Sequence, residues 1–298
     1  MNTVIPGKVL REVSAAVPQK WRKNIIVVGS LAAAYVLFKD NMNLSVRTKD
    51  IDCVLSPRIE AVKSGISIAE KLIAGGWELR TEGRFGKPGD ASTLLEDLPA
   101  VRLYPPGSKD WFIELLTVPE SEQDSGRRWT RLETSSGHFG LPSLRFLSLS
   151  TYKPLNTEFG IFCARTEMMV LANLLEHPVI RPDLIEGTSI KRSNKDLGRA
   201  VAIATLSTSE SIEAWPNMWE EGLRATFPTS WRRFARQTGD GLKTLLGNGS
   251  ELEQAYETVS NGLLASQNIA IEQYKVAGQR LLQLAVDLIE EAAKGPSS

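Results

Sequence analysis

Residues 24–28, Asn-Ile-Ile-Val-Val, end in Gly29-Ser30 and pass without a break into Leu-Ala-Ala-Ala-Tyr-Val-Leu-Phe at 31–38. The β-branched run is long enough for a buried strand and too short for a helix. The leucines and alanines that follow are strong helix formers, and Ser30 is placed to act as their N-cap. The chain is thereby committed to strand, tight turn, helix. A second short run, Asp50-Ile-Asp-Cys-Val-Leu55, then sets two carboxylates into an apolar strand. Side chains alternate faces along a strand, so Asp50 and Asp52 share one face while Ile51 and Cys53 share the packed one. Two adjacent carboxylates repel and raise each other's pKa, and a cation between them removes that cost.

The surrounding pattern reads as α+β up to about residue 150. Residues 8–16 have helical spacing with Val9, Leu10, Val13 and Ala16 on one side. Residues 58–76 form a helix with Ile59, Val62, Ile66, Ala69 and Ile73 as its expected apolar face and Gly75-Gly76 as its stop. Ala100–Tyr104 and Trp111–Leu116 are two strands joined by the turn Pro-Pro-Gly-Ser-Lys-Asp. Beyond Pro154 helical periodicity dominates over 166–176, 194–206 and 269–294, and no strand is expected there. Gly247-Asn248-Gly249 marks a hinge or helix–helix turn. The domains predicted are therefore 1–150, mixed, and 151–298, helical.

Thirty-five basic residues balance thirty-five acidic ones, so no whole-molecule field draws the chain to nucleic acid or to an anionic membrane. Cys53 and Cys163 lie in apolar runs and read as buried thiols of a reducing compartment. No N-terminal apolar stretch suits a signal peptide, and no segment approaches the roughly 20 apolar residues of a membrane span. The expectation is a cytoplasmic protein without a membrane partner. His138 reads as a loop residue, His177 as a residue near a helix end, and neither has metal-ligand spacing to the other. Trp215, Trp219 and Trp231 among Arg224, Arg232, Arg233 and Arg236 leave two readings open, core anchors beside a solvated basic face or a surface that stacks on RNA.

Glu114, flanked by apolar residues in Trp-Phe-Ile-Glu-Leu-Leu, offers a third carboxylate. If its strand lies beside that of Asp52, three acids converge. Mg²⁺ takes oxygen ligands and is commonly held by one or two carboxylates plus substrate phosphates, so Asp50, Asp52 and Glu114 are the candidate metal and catalytic set. Gly29 and Ser30 supply a complementary feature, because the free N–H groups of a first helical turn favour an anion. Each part alone has an ordinary reading, a turn with its cap or the wet edge of a strand. Their order and apolar setting are what point to chemistry.

That order resembles the nucleotidyltransferase superfamily that includes DNA polymerase beta and the aminoglycoside nucleotidyltransferases. Arg47-Thr-Lys-Asp-Ile-Asp52 is similar, more narrowly, to the Arg-x-Ser/Thr-x-Asp-Ile-Asp stretch of the AbiEii/MenT-like enzymes, among them toxins of type IV toxin–antitoxin systems. Residues 190–200, Ile-Lys-Arg-Ser-Asn-Lys-Asp-Leu-Gly-Arg-Ala, resemble the Arg-x-x-Lys-Asp stretch of the same group and put Arg192, Lys195 and Asp196 at its positions. Asn173 stands where that group often has a lysine, and Arg199 where an acidic residue often follows. The resemblance implies a nucleotidyltransferase-type mixed sheet flanked by helices, with a helical domain after it. It also implies transfer of a nucleoside monophosphate from a nucleoside triphosphate to an acceptor hydroxyl of tRNA, protein or a small molecule. Asp50, Asp52 and Glu114 would serve two Mg²⁺ ions, with Mn²⁺ as a substitute. Gly29, Ser30, Arg47, Arg192, Lys195 and Asp196 would hold the nucleotide, and an antitoxin protein would be a partner. The alternative is a nucleotide-binding or protein-interaction module that keeps the fold without turnover.

Overall fold

The computed structural model describes residues 3–38, 41, 44–82, 86–124, 128–176, 183–185 and 187–294. The chain divides into two compact units, Met1–Ala32 with Thr48–Ala164, and Ala33–Arg47 with Arg165–Ser298. His177 lies outside the described residues.

The first unit opens with β1 (Thr3–Val4), α1 (Pro6–Ala16) and β2 (Ile25–Val28), and α2 (Gly29–Leu37) begins in it. After β3 (Val46–Arg47), which belongs to the second unit, come β4 (Asp50–Leu55), α3 (Arg58–Ala74), β5 (Glu78–Leu79), β6 (Arg102–Tyr104) and β7 (Phe112–Thr117). β8 (Arg128–Thr134), β9 (Gly137–Ser143), α4 (Leu147–Ser150), β10 (Leu155–Asn156) and β11 (Phe162–Cys163) complete it. Among the described residues β2 and β4 to β11 form one mixed nine-stranded sheet in the order β10-β11-β2-β4-β7-β6-β5, with the β8–β9 hairpin attached through β9 to β7. β4 runs antiparallel to β2 and parallel to β7, while β6 and β7 form the antiparallel hairpin expected around the Pro-Pro-Gly turn. The mixed α/β character and the mixed sheet are thus as the patterning indicates.

Three features differ from the sequence reading. Strands do occur after Pro154: β11 pairs with β2 and β10 with β11, which carries the first unit to Ala164 rather than 150. Two-residue strands carry no periodic signal, so tertiary pairing alone creates them. His138 is not in a loop but in β9, paired with Glu133 of β8, with Nδ1 3.0 Å from Arg131 Nη1. The third concerns α3, whose buried residues are Ala61, Ser64, Gly65, Ile68, Ala69 and Leu72, while Ile59 is 91% exposed. Only Ala69 of the expected face is among them. The helix lies close on the sheet: a Cβ on Gly65 would stand 3.2 Å from both Leu55 and Leu132. Such an approach favours the face carrying Ala61, Ser64, Gly65 and Ala69, beside Ile68 and Leu72, so the buried stripe keeps the 3.6-residue spacing but is rotated from the expected one.

The second unit is helical: α5 (Thr166–Glu176), α6 (Arg192–Thr205), α7 (Ser209–Thr226), α8 (Trp231–Gln237), α9 (Asp240–Leu246), α10 (Gly249–Ser260), α11 (Ile271–Leu281) and α12 (Asp287–Ala292). A π-helical turn at Leu282–Val286 joins the last two, so the expected long C-terminal helix is one run with a local widening. Gly247 and Asn248 separate α9 from α10, as the glycine cluster predicts, and the Asn248 side chain caps α10 through the N–H of Glu251.

Trp215, Trp219 and Trp231 are 3%, 0% and 7% exposed, which decides for core anchors. Arg224 stacks over the Trp231 ring at 3.7 Å, so that ring's face is already covered from within the unit. Trp219 also donates its indole N–H to the Glu167 carbonyl at 2.8 Å. Both cysteines are buried and free; burial pushes the Cys163 thiol up to about 12 and, with the Asp52 charge and Cys163, raises Cys53 as well. No described helix is long and apolar enough to cross a membrane. Trp219→Ala is expected to cost about 3–5 kcal/mol, the usual loss for deleting a fully buried tryptophan. Equilibrium denaturation in urea measures it.

Candidate functional site

The site begins where β2 ends. All four β2 residues are buried, and the chain turns at Gly29 with φ +78° before α2 runs on. That left-handed conformation is one an L side chain adopts only at a cost, which makes glycine the residue for this junction. Gly29 is also the first residue of α2, so Ser30 lies in the first turn of the helix rather than at its N-cap. A Cβ on Gly29 would stand 3.2 Å from Asp52 Oδ2. The missing side chain is thus what allows this carboxylate to lie against the strand-to-helix turn.

Strand register decides what else lies there. Val28 is opposite Asp52, Asp52 is opposite Glu114, and Glu114 is opposite Arg102, in one row across β2, β4, β7 and β6. Residues directly opposite in a sheet share a face, so Asp52, Glu114 and Arg102 point the same way, and Asp50 joins them two residues along. Asp50 and Asp52 are half-buried, whereas Ile51 and Cys53 on the other face are fully buried. Thr48 fixes Asp50 by donating its hydroxyl to Oδ1 at 3.1 Å. Next to the row, Phe112 is opposite Asp50 and packs edge-on against Tyr104, with the Arg80 guanidinium 4.4 Å above the Phe112 ring.

Glu114 is only 7% exposed, and both its oxygens are engaged. Arg102 Nε donates to Oε2 at 2.8 Å and Nη2 to Oε1 at 3.0 Å, a bidentate pair whose side chains are 14% and 10% exposed. The strand of Glu114 therefore lies beside that of Asp52 as expected, and register puts Asp50, Asp52 and Glu114 on one face, with the Glu114 carboxylate turned to Arg102. Among the described residues no three acidic, histidine or cysteine side chains form a ready metal cage. Asp50 and Asp52 fit a hard cation, being partly accessible oxygen donors on one face. Glu114 fits as a ligand only if its pair with Arg102 opens. Arg102 was not among the residues singled out from sequence. Counting outward from the Pro-Pro-Gly turn would have set it opposite Glu114, since both are charged residues flanked by apolar ones.

The remaining expected residues belong to the second unit. Arg47 is exposed in β3, and its N–H donates to the Gly262 carbonyl at 3.2 Å. Arg192 is exposed at the start of α6, and its N–H donates to the Asp183 carbonyl at 2.8 Å. Lys195 and Asp196 are half-buried in the first turns of α6. Asn173 is half-buried on α5, and Arg199 is half-buried on α6.

What anchors the 190–196 stretch is a pair of residues other than those expected, Lys191 and Asn194. Asn194 is fully buried and donates to the Glu251 carboxylate and to Gln254 Oε1, the latter at 2.6 Å, while Lys191 pairs with the same Glu251. Burial alone would raise the Glu251 pKa, but these hydrogen bonds and the Lys191 charge outweigh it and hold the carboxyl below its usual range. A Cβ on Gly198 would come within 2.9 Å of the Ala255 carbonyl, so α6 and α10 touch backbone to backbone. This segment ties two helices together.

No protein-family model, no curated protein and no solved structure matches the chain. The geometry above is what any functional reading rests on.

Two substitutions probe it. Gly29→Ala forces an L residue into the left-handed region and presses on Asp52; a loss of about 1–2 kcal/mol is expected, measured by thermal denaturation. Arg102→Met leaves Glu114 buried without its counter-ion and is expected to cost about 3–5 kcal/mol, whereas Arg102→Met with Glu114→Leu recovers most of it. A double-mutant cycle in urea reads that coupling.

Proposed function

We propose that the chain is a metal-dependent nucleotidyltransferase whose acidic pair is Asp50 and Asp52. The observation that carries the reading is the contact of Asp52 with the Gly29-Ser30 junction. There an apolar strand turns into a helix through a left-handed glycine, and a carboxylate oxygen lies 3.2 Å from where a Cβ would stand. An anion held by the N–H groups of the first turn would meet a cation held by the carboxylates, the pairing that a triphosphate with its metal requires. The antiparallel β2–β4 and parallel β4–β7 pairings support the nucleotidyltransferase-type fold implied by the resemblance.

In this reading Gly29, Ser30 and the N–H groups after them bind the β and γ phosphates. Asp50 and Asp52 hold the cation, with Thr48 fixing the first of them. Bound Mg²⁺ would supply neutralisation of phosphate charge and polarisation of the phosphoryl oxygens. The acceptor hydroxyl oxygen forms a bond to the α-phosphorus while the bond to the pyrophosphate oxygen breaks, and the acceptor proton passes to a general base or to water. Glu114 is the candidate base, and its pair with Arg102 must open for it to act. Arg47, Arg192, Lys195 and Asp196 enter through the resemblance alone, as do tRNA or protein acceptors and an antitoxin partner.

The engaged state of Glu114 favours the second reading, a nucleotide-binding module without turnover, because a guanidinium on both oxygens makes a carboxylate a weaker metal ligand and a weaker base. One assay separates the two. The protein is incubated with Mg²⁺, each α-labelled nucleoside triphosphate and a total tRNA pool, beside an Asp50→Ala/Asp52→Ala control. Label transferred to RNA or to the protein itself, with pyrophosphate released and both lost in the control, is the expected outcome. Nucleotide binding without pyrophosphate from any of the four nucleotides would leave the module.

A further inference from the structure

We propose that Arg102 is a positioning residue of this site, one that holds Glu114 away from a cation on the neighbouring Asp50 and Asp52. The proposal rests on the reading of those two residues as the metal pair, and deepens it. Register leaves Glu114 between two options: on one side stands Asp52, on the other Arg102, each directly opposite it in the row. A carboxylate between an acid and a guanidinium turns to the guanidinium, and the two hydrogen bonds, at 2.8 and 3.0 Å, form a bidentate fork. The pair is nearly shut off from solvent, at 14% and 10% side-chain exposure, so water screens little of the attraction.

Arg102 therefore has two effects. It keeps a buried acid charged at low cost, and it occupies the oxygens that would otherwise complete an oxygen set with Asp50 and Asp52. The geometry of the fork is essential to the second effect. A guanidinium covers two oxygens at once, whereas an ammonium is a point charge that leaves one of them open. Opening the pair needs a competitor for the guanidinium, and phosphate oxygens are the class of group that binds arginine in the same bidentate way.

Mn²⁺ alone is the probe, its binding followed by electron paramagnetic resonance and calorimetry on the full chain, without any turnover. Wild type is compared with Arg102→Lys, Arg102→Gln, Glu114→Gln and Asp50→Asn/Asp52→Asn, each first checked for folding by circular dichroism. Arg102→Lys keeps the charge but loses the fork. If Arg102 withholds Glu114, both Arg102 variants tighten Mn²⁺ binding by about tenfold or more, the scale on which partners of a ligating group shift metal affinity. Glu114→Gln cancels the gain in Arg102→Lys. Tightening in Arg102→Gln alone would be the field of a lost positive charge, and would overturn the proposal. So would Mn²⁺ binding that depends on Asp50 and Asp52 but ignores Arg102. Mn²⁺ binding that ignores the Asp50→Asn/Asp52→Asn change would instead overturn the metal pair itself, and the role of Arg102 with it. If Arg102→Gln does not fold, Arg102→Lys carries the comparison.

Discussion

A carboxylate buried in a sheet must be neutralised, and around Glu114 the sheet is arranged to do so. The β6–β7 hairpin sets Arg102 directly across from it, and the parallel pairing of β4 with β7 sets Asp52 on its other side. A slip of one residue in either pairing would turn a charged side chain into the packed face held by Ile51, Cys53 and Ile113. The ion pair and the apolar face therefore hold one register between them. Each makes the alternatives to the other expensive.

The second constraint is the close contact at the end of β2. Gly29 takes a left-handed conformation, and its lack of a side chain makes room for Asp52. The same residue ends a strand, starts a helix and admits a carboxylate to the turn. Charge of both kinds is concentrated here: N–H groups of a first helical turn, half-buried acids, and a guanidinium two strands further. Groups held in position in this way need no rearrangement to meet a charged ligand. The nucleotidyl-transfer reading adds to this a specific ligand pair, a triphosphate and its metal.

In the second unit the polar residues that matter most to the fold are Asn194, Glu251 and Lys191, which tie α6 to α10. They stand within or opposite the stretch whose resemblance pointed to Arg192, Lys195 and Asp196. At a helix start rich in charge, sequence spacing alone does not tell which residues tie the helix to its neighbours. The tryptophans teach the same point: interleaved with arginine in the chain, they are buried in the fold, and Arg224 and Arg232 lie over the Trp231 ring.

Local chemistry was legible in the chain itself. The β-branched run before Gly29, the Asp-x-Asp alternation, the Pro-Pro-Gly hairpin turn and the helical periodicity of the C-terminal half each rest on contacts a few residues apart, so neighbours in sequence suffice to read them. The sequence also put Asp50 and Asp52 on one face, because strand alternation is a local rule. Long-range packing determined the rest. The small-residue face of α3, the β8–β9 hairpin that holds His138, the two-residue strands β10 and β11, and the partner of Glu114 depend on residues distant in the chain. Glu114 shows the difference most plainly. Its strand and its apolar flanks follow from the sequence, but whether its charge faces a metal or an arginine is set by which strand lies on its far side, and only the folded sheet supplies that strand.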